Sequence, residues 1–205
     1  MLPLYLHMFP DEATVKKAAD NLEKLVQKND YCIGTGFPGT PYILFALMDS
    51  GHADTAYRML MNTKCPSWLY EVRVGATTIW ERWDGLDENG LCPIGEDGTG
   101  GMISYNHYAS GAVGAFLYRR VAGLEPLEGG YRKFRIRPIP GGGLTSASAS
   151  VRTPYGVAAS EWTLEDGTFA LKATVPVNTT CEIILPGGET HTVGSGVHTF
   201  RATVG

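Results

Sequence analysis

The 205-residue sequence lacks the short motifs that mark several common kinds of protein. There is no CxxC pair, no HExxH and no cluster of His and Cys, so we expect no bound metal. There is no GxSxG, and no cysteine has a neighbouring histidine, so acyl transfer has no support. The cysteines stand far apart, and we expect free, buried thiols in a reducing compartment at Cys32, Cys65, Cys92 and Cys181.

Long apolar runs and a basic excess are also missing. No stretch approaches the roughly 20 apolar residues that span a bilayer, and the N-terminus has no basic region before a long apolar run. Lys and Arg number 17 against 21 Asp and Glu, and the basic residues are scattered. We therefore expect a cytosolic protein that binds neither membrane nor nucleic acid.

The first 125 residues show the periodicity of amphipathic helices. Apolar residues recur at steps of three and four between Asp11 and Lys28, behind a helix cap at Asp11. A second helical run opens at Pro41 and stops at Gly51, and Asp54 is placed to cap a third. These two predict a helical hairpin joined at Gly51 and His52. A further helix is predicted over 106–122, with Gly123 after its end.

After residue 129 the apolar period changes from 3.6 to 2. "YRKFRIRPI", "LTSASASV", "VAASEWTL", "TFALKATV" and "TCEIIL" read as short strands between Gly-, Pro- and Asn-rich turns. The Glu165-Asp166-Gly167 run is typical of a hairpin turn. We predict an α + β protein of two domains, residues 1–128 and 129–205, the second a small antiparallel β-sandwich.

A glycine-rich stretch, "GTGFPGT", contains GxGxxG at Gly34, Gly36 and Gly39. The segment before it ends a polar helix, Pro38 lies inside the motif, and no βαβ unit surrounds it. We interpret it as a tight loop that brings backbone close to another surface, and not as a dinucleotide site.

The sequence "GATTIWERWDG" places Glu81 between Trp80 and Trp83. Aromatic rings stack on the C–H faces of sugars, and a carboxylate can act as acid or base at the anomeric carbon. The alternative is a core helix in which both indoles pack while Glu81 pairs with an arginine or caps the helix. His107 follows a glycine-rich, acidic loop, residues 84–104, and is either a second site residue or a capping or core histidine.

Three segments resemble the bacterial α-L-rhamnosidases in order and approximate spacing: "TGFPGTPYILFALMDSGHADTAYRML", "PSWLYEVRVGATTIWERWDG" and "SYNHYASGAVGAFLYRRVAGLEP". Members of that family are inverting glycoside hydrolases with an (α/α)6 barrel followed by a C-terminal β-sandwich. The resemblance implies the C-terminal half of the (α/α)6 toroid, built of helical hairpins, in residues 1–128. It also implies the terminal sandwich in residues 129–205.

The resemblance further implies roles for individual residues. Glu81 matches the general base that activates water, and His107 matches a histidine that touches the bound rhamnose. Trp80 and Trp83 match aromatic positions near the sugar pocket. Rhamnose-containing glycosides are then the substrates, and no cofactor is needed, because two carboxyl groups suffice for water attack on an oxocarbenium-like centre.

One departure concerns the general acid. In the family it lies upstream, in an acidic segment that contains arginine, and nothing before Asp11 resembles that segment. We therefore expect residues 1–205 alone to hydrolyse rhamnosides weakly or not at all. Two other interpretations stay open: a carbohydrate-binding or structural remnant without turnover, and an α/α hydrolase or lyase for another sugar.

A partial barrel would expose a broad apolar face, which monomeric soluble proteins rarely tolerate. We therefore predict that the chain self-associates through this face. Solution scattering at micromolar concentration is expected to give a mass above that of one chain, and a monodisperse monomer would contradict the prediction.

Overall fold

The computed structural model describes residues 1–92 and 103–204. The chain divides into two compact units, Met1–Val113 and Gly114–Gly205. Residues 114–128 belong to the second, strand-rich unit. The change in the period of the apolar residues predicts a domain boundary after residue 128. That domain boundary stays a prediction. Much of the acidic loop predicted over 84–104, namely residues 93–102, lies outside the described residues.

The first unit is built from short helices. Seven α-helices are described, the last of which runs into the second unit: α1 (Leu2–Tyr5), α2 (Glu12–Lys28), α3 (Ile43–Met48), α4 (Ala53–Leu60), α5 (Trp68–Arg73), α6 (Tyr108–Gly111) and α7 (Val113–Phe116). No helix in the described part of the chain is long and apolar enough to cross a bilayer.

Helix α2 confirms the first prediction. Asp11 is its N-cap and accepts a 2.7 Å hydrogen bond from the Thr14 amide, satisfying one of the free N–H groups of the first turn. Ala19, Leu22 and Val26 are buried on one face, as the three- and four-residue spacing requires.

Helices α3 and α4 form the predicted hairpin. All six residues of α3 are buried, and Gly51, at φ +91°, turns the chain so that the His52 amide bonds to the Leu47 carbonyl. The cap predicted at Asp54 is wrong: α4 begins at Ala53, and its N-cap is His52.

Contacts with α2 explain why α4 begins where it does. The ring nitrogens of His52 lie 3.3 Å from Asp20 Oδ1 and 3.1 Å from Glu23 Oε2. Thr55 Oγ1 donates a 2.7 Å hydrogen bond to Glu23 Oε1. Tertiary contacts to two carboxylates therefore position the first turn, and Asp54 lies within it.

The helix predicted over 106–122 is divided into α6, α7 and a π-helical turn, Leu117–Val121. Glycines at 111 and 114 lower the helix propensity of this stretch. Gly123 follows as predicted, at φ +84°.

The second unit contains eight strands: β1 (Leu124–Pro126), β2 (Lys133–Ile136), β3 (Ser146–Thr153), β4 (Gly156–Glu165), β5 (Thr168–Val175), β6 (Thr180–Ile184), β7 (Thr190–Val193) and β8 (Gly196–Thr203). A 3₁₀ turn, Gly129–Tyr131, precedes β2. The strands form two four-stranded sheets, in the orders β1-β2-β6-β7 and β3-β4-β5-β8.

The sandwich core follows the two-residue period. In β5 the buried positions are Phe169, Leu171, Ala173 and Val175. These side chains belong to one apolar cluster with Phe134, Ile136 and Ile183 of the other sheet. The β4–β5 turn is the predicted hairpin, with Asp166 and Gly167 at φ 47° and 72°.

Two details differ from the expectations. Strands β2 and β6 pair in parallel, with Phe134 opposite Cys181, because the three intervening strands belong to the other sheet. Cys32, Cys65 and Cys181 are free thiols, and of the four cysteines Cys181 is buried, Cys65 is exposed and the other two are half-buried.

The end of the helical segment is fixed inside the second unit. Trp162 Nε1 donates a 2.8 Å hydrogen bond to the Val121 carbonyl, and Ser160 Oγ donates a 2.7 Å bond to that of Ala122. A Cβ added to Gly123 would lie 2.2 Å from the Pro138 nitrogen. Only glycine fits this close approach at positive φ.

Gly123→Ala is therefore expected to lower the free energy of unfolding by about 3 kcal/mol or more, from left-handed strain and a backbone clash. Gly114→Ala is the matched control, because a Cβ there meets nothing within 4 Å. Its effect should be neutral or stabilising by up to about 1 kcal/mol. Urea unfolding measures both, and equal stability of the two variants would contradict this account.

Candidate active site

Two irregular segments of the first unit lie side by side and carry the predicted site residues. The Glu81 amide donates a 2.8 Å hydrogen bond to the Ser104 carbonyl, and the His107 amide donates a 2.8 Å bond to the Ile79 carbonyl. Thr78 Oγ1 also bonds to the Tyr105 carbonyl. The segments run in opposite directions, so Glu81 and His107 are brought onto neighbouring pieces of chain.

The core-helix alternative for "GATTIWERWDG" is wrong. Residues 77–85 form no helix, and Arg82 pairs with Asp84 at 3.1 and 3.0 Å instead of with Glu81. The Glu81 carboxylate is therefore not neutralised by its neighbouring arginine in an ion pair.

The Glu81 carboxylate is held through one oxygen only. Glu81 Oε2 accepts a 2.8 Å hydrogen bond from the Ser104 amide, and the residue is half-buried. Within residues 1–92 and 103–204, Oε1 has no hydrogen-bond partner. A carboxylate oriented in this way can accept a proton at its second oxygen.

The two tryptophans beside Glu81 differ in exposure. The Trp80 side chain is buried, with the residue 2% exposed, and its ring packs edge-on against Tyr105 at 5.6 Å. A Cβ on Gly85 would lie 2.8 Å from the Trp80 ring. Little of this indole is therefore free for a ligand. Trp80 instead packs under the segment that carries Glu81 and supports it.

Trp83 is half-buried and keeps part of its surface open. Its ring meets Trp68 edge-on at 5.5 Å, and Trp68 Nε1 donates a 2.9 Å hydrogen bond to the Ser110 carbonyl in α6. Trp83 thus packs against the Trp68 ring, which is held in place by its hydrogen bond to α6.

Two aromatic rings lie against the His107 imidazole. Phe37 stacks on the imidazole at 4.4 Å, and Tyr108 lies 5.3 Å away on nearly parallel planes. His107 is the N-cap residue of α6, but its side chain makes no capping bond. Its Nδ1 is buried and has no partner in the described part of the chain.

Phe37 was not predicted from the sequence as a site residue, although the tight loop that carries it was predicted. In "GTGFPGT" the amides of Gly39 and Thr40 both bond to the Gly36 carbonyl, which makes the predicted tight turn. Phe37 projects from this turn onto His107 and remains 45% exposed, and Tyr108 is 86% exposed. Two partly exposed aromatic rings therefore lie beside the imidazole.

Glu71 is a second residue that sequence reasoning missed. It lies on α5 and is 1% exposed, and its Oε2 accepts a 3.2 Å hydrogen bond from the Trp80 amide. Burial raises the pKa of this carboxyl group to about 7, and the bond from Trp80 opposes the rise. The available signal was its spacing of three from Trp68, which places both on one helix face.

No group of three or more His, Cys, Asp or Glu side chains in the described residues is arranged to hold a metal ion. Within the described residues, the site brings together the Glu81 carboxylate, the His107 imidazole and aromatic surfaces. Such a set suits a carbohydrate, whose C–H faces stack on rings while a carboxylate works at the anomeric carbon.

Comparison with known proteins gives the family. Residues 1–121 match the bacterial alpha-L-rhamnosidase 6 hairpin glycosidase domain, and residues 123–200 match the bacterial alpha-L-rhamnosidase C-terminal domain. The chain belongs to the bacterial α-L-rhamnosidase family. The predicted fold class, helical hairpins followed by a small β-sandwich, is confirmed by this match.

Individual α-L-rhamnosidases are similar over most of the chain. An α-L-rhamnosidase of Streptomyces avermitilis is 44% identical over 186 residues, which are 91% of this chain and 18% of that protein. The crystal structure of the native Aspergillus terreus enzyme gives a TM-score of 0.91 at 44% identity, over 98% of this chain and 23% of that one. A Streptomyces avermitilis α-L-rhamnosidase complexed with L-rhamnose gives 0.90 at 39% identity, over 98% and 21%.

The chain thus spans about a fifth of the length of the α-L-rhamnosidases it matches. Glu81, His107, Trp80 and Trp83 lie within the part that matches the hairpin glycosidase domain.

The buried Glu71 makes stability depend on pH. Its folded-state pKa of about 7 lies above the ordinary value of 4.5, so the folded protein binds more protons between these values. Stability is therefore lost as the pH rises from about 4.5 to 7. At about 1.4 kcal/mol per pKa unit, the loss is at most roughly 3 to 4 kcal/mol.

Glu71→Gln should remove this loss, because an amide does not titrate. Urea unfolding is expected to show the variant gaining on the wild type between pH 5 and pH 8. Glu88→Gln, at an exposed position, should show no such gain. A wild-type-to-Glu71→Gln difference that is the same at both pH values would contradict the assignment.

Proposed function

We propose that this chain supplies the general base and part of the sugar pocket for hydrolysis of terminal α-L-rhamnose from rhamnosides, with inversion. The observation that carries the proposal is the Glu81 carboxylate. One oxygen is fixed by the Ser104 amide, the other has no hydrogen-bond partner among residues 1–92 and 103–204, and the paired segment bears His107. Membership of the α-L-rhamnosidase family supports the choice of sugar.

The proposed step is a proton transfer coupled to water attack. Glu81 takes a proton from water while the water oxygen bonds to the anomeric carbon on the face opposite the leaving group. A carboxylic acid on the other face, about 6.5–9.5 Å from the base in inverting enzymes, gives its proton to the departing oxygen. The proposal assigns that acid to no residue of this chain.

The remaining residues would hold the sugar. His107 would donate or accept a hydrogen bond at a rhamnose hydroxyl, with its ring kept in place by Phe37. Trp83 would offer its open surface to a C–H face, and Trp80 would keep the segment in place from its buried position.

A second candidate function is carbohydrate binding without turnover. The exposed rings of Phe37 and Tyr108 beside His107 favour it, since aromatic faces bind sugars without any acid. Turnover separates the two functions.

Glu81→Gln tests the base. The amide still accepts the Ser104 N–H but cannot take a proton, so kcat on an aryl α-L-rhamnoside should fall about 10²- to 10⁴-fold. Glu88→Gln is the matched control, an exposed glutamate on the same loop that pairs with Arg73. Proton NMR of the first product should show β-L-rhamnose, the inverted anomer.

Two proteins are assayed. The 205-residue chain is expected to be weak or inactive. A chimaera in which this chain replaces the matching region of the Streptomyces avermitilis α-L-rhamnosidase has the rest of that enzyme around it. The role of Glu81 would be overturned if the Glu81→Gln chimaera and the Glu88→Gln chimaera both turn over substrate as fast as the unsubstituted chimaera. A retained anomer would overturn inversion.

A further inference from the structure

Glu71 is a buried carboxyl group without a counter-charge. Within the described residues it forms no ion pair, Oε1 has no hydrogen-bond partner, and Oε2 has a single one, the Trp80 amide. Burying such a group is unfavourable unless it is paired, and apolar side chains would fill the space at lower cost. The one bond it makes therefore indicates what the residue does.

That bond is to the residue directly before Glu81. Trp80 lies in irregular backbone, so no helix or strand partner satisfies its buried N–H. The next amide, that of Glu81, is held separately by the Ser104 carbonyl. Glu71 and Ser104 thus anchor two successive N–H groups, and together they fix the backbone from which the Glu81 carboxylate projects.

Helix α5 gives Glu71 a fixed base. Ser67 caps the helix by accepting a 3.1 Å hydrogen bond from the Tyr70 amide, and Tyr70 Oη donates a 3.2 Å bond to the Leu86 carbonyl. The Glu71 carbonyl accepts the Ala76 amide just after the helix end. The carboxyl group is therefore anchored on an element attached to both sides of the Glu81 segment.

We propose that Glu71 is a positioning residue for Glu81: its buried carboxyl group holds the Trp80 N–H and so sets the orientation of the proposed general base. The role rests on the proposed function of Glu81. It differs from a packing role, because packing needs only the volume of the side chain, whereas positioning needs an acceptor atom.

Two variants separate acceptor from volume. Glu71→Gln keeps a carbonyl oxygen that accepts the Trp80 N–H, and Glu71→Leu keeps an apolar stem of similar size without an acceptor. Amide hydrogen exchange of the 205-residue chain should show Trp80 exchanging at least tenfold faster in Glu71→Leu and within about twofold of wild type in Glu71→Gln. The Ile33 amide, bonded to Pro66, reports whether the fold is retained.

A second measurement needs no destabilised variant. The Trp80 amide shift of the wild type is followed from pH 5 to 9, since a carboxylate and a carboxylic acid differ as acceptors. The shift should titrate in the wild type and stay flat in Glu71→Gln. Cys65 is a titratable neighbour, its thiol pKa raised by burial and by nearby charges that include Glu71, so the series is repeated in Cys65→Ser.

Turnover in the chimaera then tests the consequence. Glu71→Leu should lower kcat at least tenfold with KM changed less than threefold, and Glu71→Gln should restore kcat to within about threefold. Unchanged Trp80 exchange in a folded Glu71→Leu, or a flat wild-type titration, would overturn the anchoring. Altered exchange with unchanged kcat would overturn the positioning role.

Failure of the proposed function looks different. If Glu81→Gln leaves turnover intact, Glu81 is not the base, whatever the exchange of Trp80 shows. If Glu81→Gln abolishes turnover while Glu71→Leu leaves kcat unchanged, the base stands and the positioning role falls.

Discussion

The pairing of residues 78–81 with 104–107 is the interaction on which the rest of the site depends. Neither segment is a helix or a strand, so regular structure does not fix their relative register. Two backbone hydrogen bonds, Glu81 to Ser104 and His107 to Ile79, do so instead. The same Ser104 also fixes one oxygen of the Glu81 carboxylate through its amide. For the proposed general base, preorganisation of this kind would avoid reorienting the carboxylate during proton transfer.

The aromatic residues around these paired segments have two roles: some are buried and support the segments, and others are exposed beside them. Trp80 and Trp68 are buried and hold the segments against the helices, whereas Phe37 and Tyr108 leave their faces open beside His107. Trp83 stands between these groups, half-buried on Trp68. Burying the carboxyl group of Glu71 costs free energy. This cost is explained if the Trp80 N–H must be held without help from secondary structure.

The sequence predicted most of the regular helices and strands, but it did not predict several local features that depend on tertiary contacts. Helix α2 and strand β5 follow from periodicity, because each buries one regular face. The α3–α4 hairpin follows from the stop at Gly51, where the chain turns at positive φ. The Asp54 cap was wrong because contacts of His52 with α2 set the helix start. Strands β7 and β8 were not predicted, since their inward residues are only half-buried and Val197 of β8 is an exposed apolar residue that breaks the alternation. Glu81 and His107 were singled out from their sequence context, and a family resemblance supplied their roles. Phe37 and Glu71 were missed, because their partners lie 70 and 9 residues away and only the fold brings them together.

The central claim is that Glu81, His107 and Trp83 face one surface that binds rhamnose. NMR of the 205-residue chain with millimolar L-rhamnose tests it directly. The account predicts saturable shifts at the Glu81 side chain, the His107 ring and the Trp83 indole N–H, with Trp80 and the β-sandwich little changed. Shifts confined to other residues, with Glu81 and His107 unmoved at saturating sugar, would contradict it.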